Sequence, residues 1–423
     1  MRKKLAKLAR CAATVGTAVA LAALSLPGTG HAAPEAPSAD PLPADLVAAI
    51  QRDLHLTPQE YLARADAAQQ VAGYASDLRR VDPGAFGGAR LDPDGAPTVA
   101  VTSPEAAARV VAAGYRVEFV PSPIDAPEGA LAQPNRRSST PTSVPRFEVA
   151  SGTDPIGGDA YITTVEPIAT AQSFMVCSFG FTAADSAGTP LALSAGHCDP
   201  NRATTGTANA AAVYAPNRTD LPNSPRVGDF ARSGIGSAGG GLDYSVIRLT
   251  PEAAAGGLGT PTVRGVGGEA LTITGSAVPV VGAPVCKSGQ TSGYTCGTVQ
   301  DAAYSTALYG NGGESWRVHG FTHNACTLAG DSGGAIITGT RALGITSGST
   351  VANAAGCAQA AAAGGMLGFG IPVRDILAQV NGASCPAGPG IAVRTDANPT
   401  GICETPEPTA APGAFGSLGS TGS

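Results

Sequence analysis

Charge is scarce in this chain, and so are aromatic residues. Only 14% of the 423 residues are Asp, Glu, Lys or Arg, 5% are aromatic, and there are one Trp and three Met. Lys and Arg total 26 against 32 Asp and Glu, a net charge of −6. No basic surplus exists to neutralise phosphates, so nucleic acid is not an expected partner. After the first 26 residues no apolar run approaches the roughly 20 residues that a bilayer span takes, so no membrane partner is expected. No Cys-x-x-Cys pair occurs, which argues against zinc, and neither a metal nor a cofactor is expected. Glycine and proline are plentiful instead, 57 and 34 of them. Such a turn-rich composition suits many short strands and few long helices.

The beginning of the chain sets the compartment. Met1-Arg2-Lys3-Lys4, with Lys7 and Arg10, precede an apolar stretch from Cys11 to Leu26, then Pro27-Gly28 and the small residues Gly30-His31-Ala32. This is the pattern of a secretory signal peptide over 1–32, and the product is expected to be secreted and extracellular. Of nine cysteines, Cys11 leaves with that segment. Cys177, Cys198, Cys286, Cys296, Cys326, Cys357, Cys385 and Cys403 remain, an even number that in an exported chain reads as disulfides of undetermined pairing.

Residues 33–155 contain no cysteine and have a different texture. Leu46 to Ile50 reads as helical. Thr57-Pro58-Gln59-Glu60 is a capping box with proline at the first helical position, opening a helix that runs towards Leu78. A turn at Leu91–Gly95 leads to a strand from Pro97 to Thr102. Ser103-Pro104-Glu105 caps a further helix, and Tyr115 to Val120 is a strand. A small α+β unit follows from these, with a linker from Pro121 to Arg146 that carries Arg136-Arg137, a nick site for a protease. From 156 onwards short strands separated by Gly, Asn and Asp turns dominate. They include Phe174–Phe181, Asp243–Leu249, Leu271–Ile273, Val278–Val285, Ser315–Val318, Gly334–Ile337 and Ala342–Ile345. Strands at this spacing predict an all-β domain over 156–388, barrel or sandwich, with one late helix at Val373–Val380. The stretch 389–423 reads as a Pro/Gly/Ser-rich tail.

Two segments carry chemistry. Ser332 lies in Gly330-Asp331-Ser332-Gly333-Gly334, where small neighbours let the backbone turn sharply and bring its amides near a carbonyl. A serine hydroxyl needs a base to take its proton, and His197 in Ser194-Ala195-Gly196-His197-Cys198 is the candidate. A free histidine titrates near pH ~6.5, so activity should fall on acidification through that region. The imidazole in turn needs a carboxylate to orient it. Asp243, opening a strand in Gly241-Leu242-Asp243-Tyr244-Ser245, fits this role better than Asp229. His319 and His323 lack the Ala-Gly-His-Cys setting and are expected to face solvent or a strand neighbour.

These segments, with Ile156-Gly157-Gly158-Asp159-Ala160, Val285-Cys286-Lys287-Ser288-Gly289, Gly293 to Thr298, Asn324-Ala325-Cys326 and Thr346-Ser347-Gly348, resemble the chymotrypsin-like serine proteases. In particular they resemble the actinobacterial branch of alpha-lytic protease and the streptogrisins. The match runs over about 156–380. It implies a trypsin-like fold of two antiparallel β-barrels with a C-terminal helix. It also implies a catalytic triad of His197, Asp243 and Ser332, with an oxyanion hole at the amides of Gly330 and Ser332. The implied disulfides are Cys177–Cys198, Cys286–Cys296 and Cys326–Cys357, which leaves Cys385 and Cys403 for each other. The leading α+β unit is similar to that family's pro-region, which assists folding and inhibits the enzyme.

The resemblance further implies that Asp331 is buried beside the nucleophile and needs a cation. The family's bacterial branch has arginine after the cysteine, and here Lys287 stands there, a point charge without a bidentate fork. The specificity pocket would be lined by Ala325, Thr327 and Thr346, with Ser347, Gly348 and Ser349 pairing with the substrate backbone as an added strand. None is acidic, and Ser349 stands where the family has glycine. The expectation is a monomeric serine endopeptidase acting on proteins or peptides after apolar, small-to-medium residues. A silent binding protein on the same scaffold and a serine esterase are the rivals.

Overall fold

The computed structural model describes residues 42–121, 154–309, 314–352, 354–362, 364, 366–382 and 390–401. The signal segment 1–32, Arg136-Arg137, Cys385 and Cys403 lie outside the described residues.

The leading unit begins with α1 (Ala44–Leu54) and α2 (Pro58–Val81). Both halves of the capping box form at Thr57. Its Oγ1 accepts from the Glu60 amide at 3.2 Å, and its amide donates to Glu60 Oε2 at 2.8 Å. β1 (Phe86–Leu91), β2 (Pro97–Val101), α3 (Pro104–Ala112) and β3 (Arg116–Phe119) complete it. β1 and β2 pair antiparallel, and β2 and β3 pair parallel across α3. The helix caps and turn residues fixed these elements locally, which is why their positions follow from the sequence.

The first barrel uses β4 (Ala160–Thr164), β5 (Met175–Ser178), β6 (Thr182–Asp185), β7 (Pro190–Ser194), β8 (Ala212–Tyr214), β9 (Arg226–Gly236) and β10 (Leu242–Leu249). The short pair β11 (Thr262–Val263) and β12 (Leu271–Thr272) links it to the second. The second has β13 (Gly275–Ser276), β14 (Pro284–Lys287), β15 (Thr295–Tyr309), β16 (Ser315–His323), β17 (Ala335–Thr338), β18 (Arg341–Ser349) and β19 (Gly368–Pro372). Its order is β13-β18-β17-β14-β15-β16-β19, and β18 also pairs with β19, which closes the sheet into a barrel. A helix, Val373–Asn381, follows. The seven strands read from turn spacing fall on β5, β10, β12, β14, β16, β17 and β18, and the others were not singled out. The bounds differ most at Val278–Val285, where 278–283 is irregular and the strand starts only at Pro284.

The tail also differs from expectation. β20 (Ile391–Val393) pairs antiparallel with β6 and becomes the edge strand of the first sheet. Ile391 and Val393 are buried, and Asn381 holds the Ile391 backbone through both its side-chain atoms. The domain boundary at 388 therefore falls too early. The Pro/Gly/Ser composition of 389–423, averaged over its length, hid a three-residue apolar strand.

The leading unit packs on the second barrel. Ala68, Val71 and Leu78 of α2 share one apolar cluster with Val285, Val299, Phe321 and Ile336. Tyr61 is fully buried and donates to the Gly339 carbonyl at 3.2 Å. Gln69 bonds Val278 in both directions, at 3.1 and 2.9 Å. Asp53 accepts from the Cys296 amide at 2.8 Å, and Leu91 donates to Val281 at 2.8 Å.

Candidate active site

His197 sits in a short 3₁₀ turn, Gly196–Cys198, immediately after β7. Glycine is required at 196, since a Cβ there would lie 2.2 Å from the Gly234 carbonyl oxygen and 2.6 Å from that of Tyr244. The turn is thereby pressed against β9 and β10. Its other end is tied by the Cys177–Cys198 disulfide. Asp243, the second residue of β10, is fully buried and faces this turn. One of its oxygens accepts from the His197 amide at 2.8 Å, and the other lies 2.7 Å from His197 Nδ1. Ser347, from the second barrel, donates to that same oxygen at 2.6 Å. Burial pushes the carboxyl pKa up. The His197 charge and these three hydrogen bonds outweigh burial and hold it below the ordinary carboxylate range. Asp229 lies elsewhere on β9, partly exposed and paired with Arg226.

Ser332 lies between two glycines in left-handed conformations, Gly330 at φ +96° and Gly333 at φ +81°. Ser178, which nothing in its sequence context singles out, reaches this loop from the first barrel. Its amide donates to the Ser332 carbonyl at 2.8 Å, and its hydroxyl donates to the Gly330 carbonyl at 2.9 Å. The hydroxyl itself accepts from the Gln290 amide at 2.9 Å. Ser178 adjoins Cys177, the disulfide partner of Cys198, so the serine loop and the histidine turn are fastened to one short segment.

Asp331 points away from His197 into the second barrel. It accepts from the amides of Thr291, Ser292 and Leu328 at 3.0, 3.0 and 2.9 Å, and from the Ser292 hydroxyl at 2.7 Å. Lys287 Nζ lies 2.9 Å from it, and both side chains are fully buried. The ammonium also donates to Ser292 Oγ at 2.5 Å. Lysine thus occupies the cation position as a point charge, and serine and backbone donors fill the remaining lone pairs.

Ala325, Thr327, Thr346, Ser347 and Ser349 are all buried along one wall formed by β18, β19 and the turn after β16, with Gly348 half-buried among them. His319 is exposed, as expected. His323 meets the other alternative, completely buried at the end of β16 against its strand neighbours Gly368 and Phe321. The sequence offered no signal for it, because burial there depends on Gly368 of a distant strand. The described residues also contain the disulfides Cys286–Cys296 and Cys326–Cys357. Cys177, His197 and Cys198 converge, but the two sulfurs are bonded to each other and offer no thiolate to a metal.

A trypsin family model matches residues 188–375. Over 382 residues the chain is 31% identical to Streptogrisin-C of Streptomyces griseus, covering 82% of this chain and 79% of that protein. The chain belongs to the streptogrisin branch of the trypsin-like serine proteases. It is a serine endopeptidase. This streptogrisin-like protease is also 36% identical over 173 residues to Serine protease 2 of Streptomyces fradiae, which spans 41% of this chain and 86% of that one. Among solved structures, a Nocardiopsis protease is 30% identical, covers 57% of this chain and 100% of its own, and superposes with a TM-score of 0.40.

Proposed function

We propose that Ser332 is the nucleophile of this protease, His197 its general base and acid, and Asp243 the carboxylate that orients the imidazole. The carrying observation is the double grip of buried Asp243 on His197, through ring and backbone at 2.7 and 2.8 Å. That grip fixes which ring nitrogen is left to face the serine. Attack on the substrate carbonyl forms an acyl-enzyme at Ser332 Oγ. The proton passes from the hydroxyl to His197 and then to the leaving amine, and water hydrolyses the ester by the reverse sequence. The amides of Gly330 and Ser332 hold the oxyanion. Losing one such donor costs on the order of 10²–10³ in turnover. Ser178 supports that hole by pinning the carbonyls of both residues. The Lys287–Asp331 pair holds the loop from below.

The residues 33–155 act as a pro-region on an exported enzyme, and 1–32 as its signal peptide. Their support is the leader composition and the shared apolar cluster of α2 with the second barrel. The pro-region helps that barrel fold, inhibits the enzyme and is then cut away, leaving a monomer that acts on proteins or peptides. No described helix is long and apolar enough to cross a membrane. The pocket wall contains no free carboxylate, since Asp331 is held by Lys287, so cleavage after Lys or Arg is disfavoured. The enzyme cleaves after apolar, small-to-medium residues, a reading supported by the absence of an acidic side chain among Ala325, Thr327, Thr346, Ser347, Gly348 and Ser349.

Fluorophosphonate labelling of the secreted protein, located by mass spectrometry, tests the nucleophile, with casein and simple esters assayed side by side. Label on Ser332 with casein hydrolysis is expected. Absence of label, or label on another residue, overturns the assignment. Ester turnover without proteolysis points to the esterase.

A further inference from the structure

We propose that Thr291 is a positioning residue of this protease: its hydroxyl fixes the direction in which the Gly330 amide points, and so sets the strength of the oxyanion hole. The inference rests on the reading of Ser332 as nucleophile and of the Gly330 and Ser332 amides as that hole.

A trans peptide is planar, with its N–H and C=O pointing opposite ways, so a bond that anchors the carbonyl oxygen also aims the amide. The Gly330 amide belongs to the Ala329–Gly330 peptide, and the Ser332 amide to the Asp331–Ser332 peptide. The anchors of these two planes differ in kind. The Asp331 carbonyl accepts from the Gly334 amide at 2.9 Å, a bond inside the serine loop itself. The Ala329 carbonyl accepts from Thr291 Oγ1 at 2.7 Å, a side chain that comes from the turn between β14 and β15. Ser178 holds the carbonyls of Gly330 and Ser332, which belong to the peptides that follow, so it steadies the loop beyond each donor. One donor of the hole is thus aimed by backbone and the other by a side chain.

Thr291 is itself held in place. Its amide donates to Asp331 Oδ1 at 3.0 Å, and the Ser292 amide donates to the same oxygen at 3.0 Å. A Cβ on Gly289 would lie 2.6 Å from that oxygen, so glycine there lets the turn rest on the carboxylate. Gln290 Nε2 donates to Thr291 Oγ1, which leaves the hydroxyl proton for the Ala329 carbonyl. Gln290 is buried, and its amide reaches Ser178 Oγ, so consecutive residues of one turn serve consecutive carbonyls of the serine loop. A Cβ on Gly330 would collide with Gln290 Nε2 and Thr291 Oγ1, which shows how closely the turn packs on the donor. Without the hydroxyl, the Ala329–Gly330 peptide can rotate and carry its N–H out of the hole. One hydrogen bond of ordinary net strength biases such an orientation by about tenfold. The loss falls on the transition state, where charge develops on the carbonyl oxygen, and spares the bound substrate.

The test compares the mature secreted enzyme with Thr291→Val, Thr291→Ala and Thr291→Ser, all of which keep the backbone bond to Asp331. The substrate is a peptide amide copied from a casein site that the wild type cleaves. The matching peptidyl trifluoromethyl ketone mimics the transition state: Ser332 Oγ bonds to its carbonyl carbon, the carbonyl electron pair moves to oxygen, and the hydroxyl proton passes to His197. The corresponding alcohol has no carbonyl to attack and reports binding alone. Thr291→Val should lower kcat by about tenfold with KM changed less than about twofold, and should weaken the ketone by the same factor while the alcohol binds as before. Thr291→Ser, which returns the hydroxyl, should restore kcat and ketone affinity. Thr291→Ala carries the same expectation as Thr291→Val, so a valine variant that fails to fold leaves the test standing. A folded valine or alanine variant with wild-type kcat and ketone affinity overturns the proposal. So does a serine variant as impaired as the valine one, or a ketone and an alcohol weakened equally. A wild type that binds the ketone no more tightly than the alcohol overturns instead the oxyanion-hole reading beneath it.

Discussion

The two barrels share a strand-rich design but differ in what surrounds them. In the first barrel, Tyr161, Phe179, Phe230 and Leu258 form a cluster drawn from that barrel and its following turn alone. In the second, Val285, Val299, Phe321 and Ile336 belong to a cluster completed by α2 and the leading sheet. The chemistry divides along the same line. His197 and Asp243 come from the first barrel. Ser332, the Lys287–Asp331 pair and the residues proposed as pocket wall come from the second, with Ser178 and Ser347 crossing in opposite directions. The half proposed to handle the proton thus has a core cluster of its own, although Leu242, Tyr244 and Val246 beside Asp243 join a second cluster shared with Leu46, Tyr61 and the other barrel. The half proposed to choose the substrate is the half on which the leading segment rests.

That contrast can be broken by substitution. Asp243→Asn, in the first barrel, should lower kcat by about 10⁴, because the amide no longer selects the productive tautomer of His197. The fold and the docking of the leading unit should survive, as circular dichroism and fluorophosphonate titration of the residual activity would show. A loss smaller than tenfold removes Asp243 from the mechanism. Lys287→Met, in the second barrel, should act the other way round. It strands a buried carboxylate, so the cost should fall on stability, about 3–5 kcal/mol by denaturant titration, with the oxyanion loop disturbed in consequence. Retained stability and full activity together would show that the Ser292 hydroxyl and the backbone amides suffice for Asp331.

A further effect concerns pH. His323 stays neutral in the folded chain down to about pH 3, whereas in the unfolded chain a histidine takes up a proton near pH ~6.5. Between those values the unfolded state binds the extra proton, so stability is whole above about 6.5 and falls as pH drops towards 3. Asp243 adds its own loss only below the ordinary carboxylate range, because its folded pKa is lowered. His323→Leu should flatten the melting temperature between pH 6.5 and 4, leaving the steeper fall below 4. An unchanged slope would remove His323 as the acid-sensitive group of the second barrel.

Much of this was readable in one dimension. The capping box at Thr57, the Gly-Asp-Ser-Gly-Gly turn and the Ala-Gly-His-Cys turn each work through neighbours in sequence, so residue types and spacing identified them. Asp243 could be chosen over Asp229 only by its place at the start of a strand, and what separates the two in space is the partner each finds, His197 for one and Arg226 for the other. Ser178 looks like any strand serine until the Gly330 carbonyl arrives from 152 residues away. His323 looks like an exposed polar residue until Gly368 leaves room above it. β20 vanished into the composition of the tail because three residues make no pattern until an open sheet edge receives them.

The linear chain by itself determined the local turns, the caps, the settings of the residues proposed as nucleophile and base, and the kind of fold that short, glycine-punctuated strands can build. Tertiary structure alone decided which carboxylate meets the imidazole, which serine bonds the Gly330 and Ser332 carbonyls, what the leading segment rests on and where the buried histidine lies. The physical reason is range: turn and cap energies are settled among a few adjacent residues, whereas hydrogen-bond partners and burial are set by strand register, which joins groups that no sequence window contains.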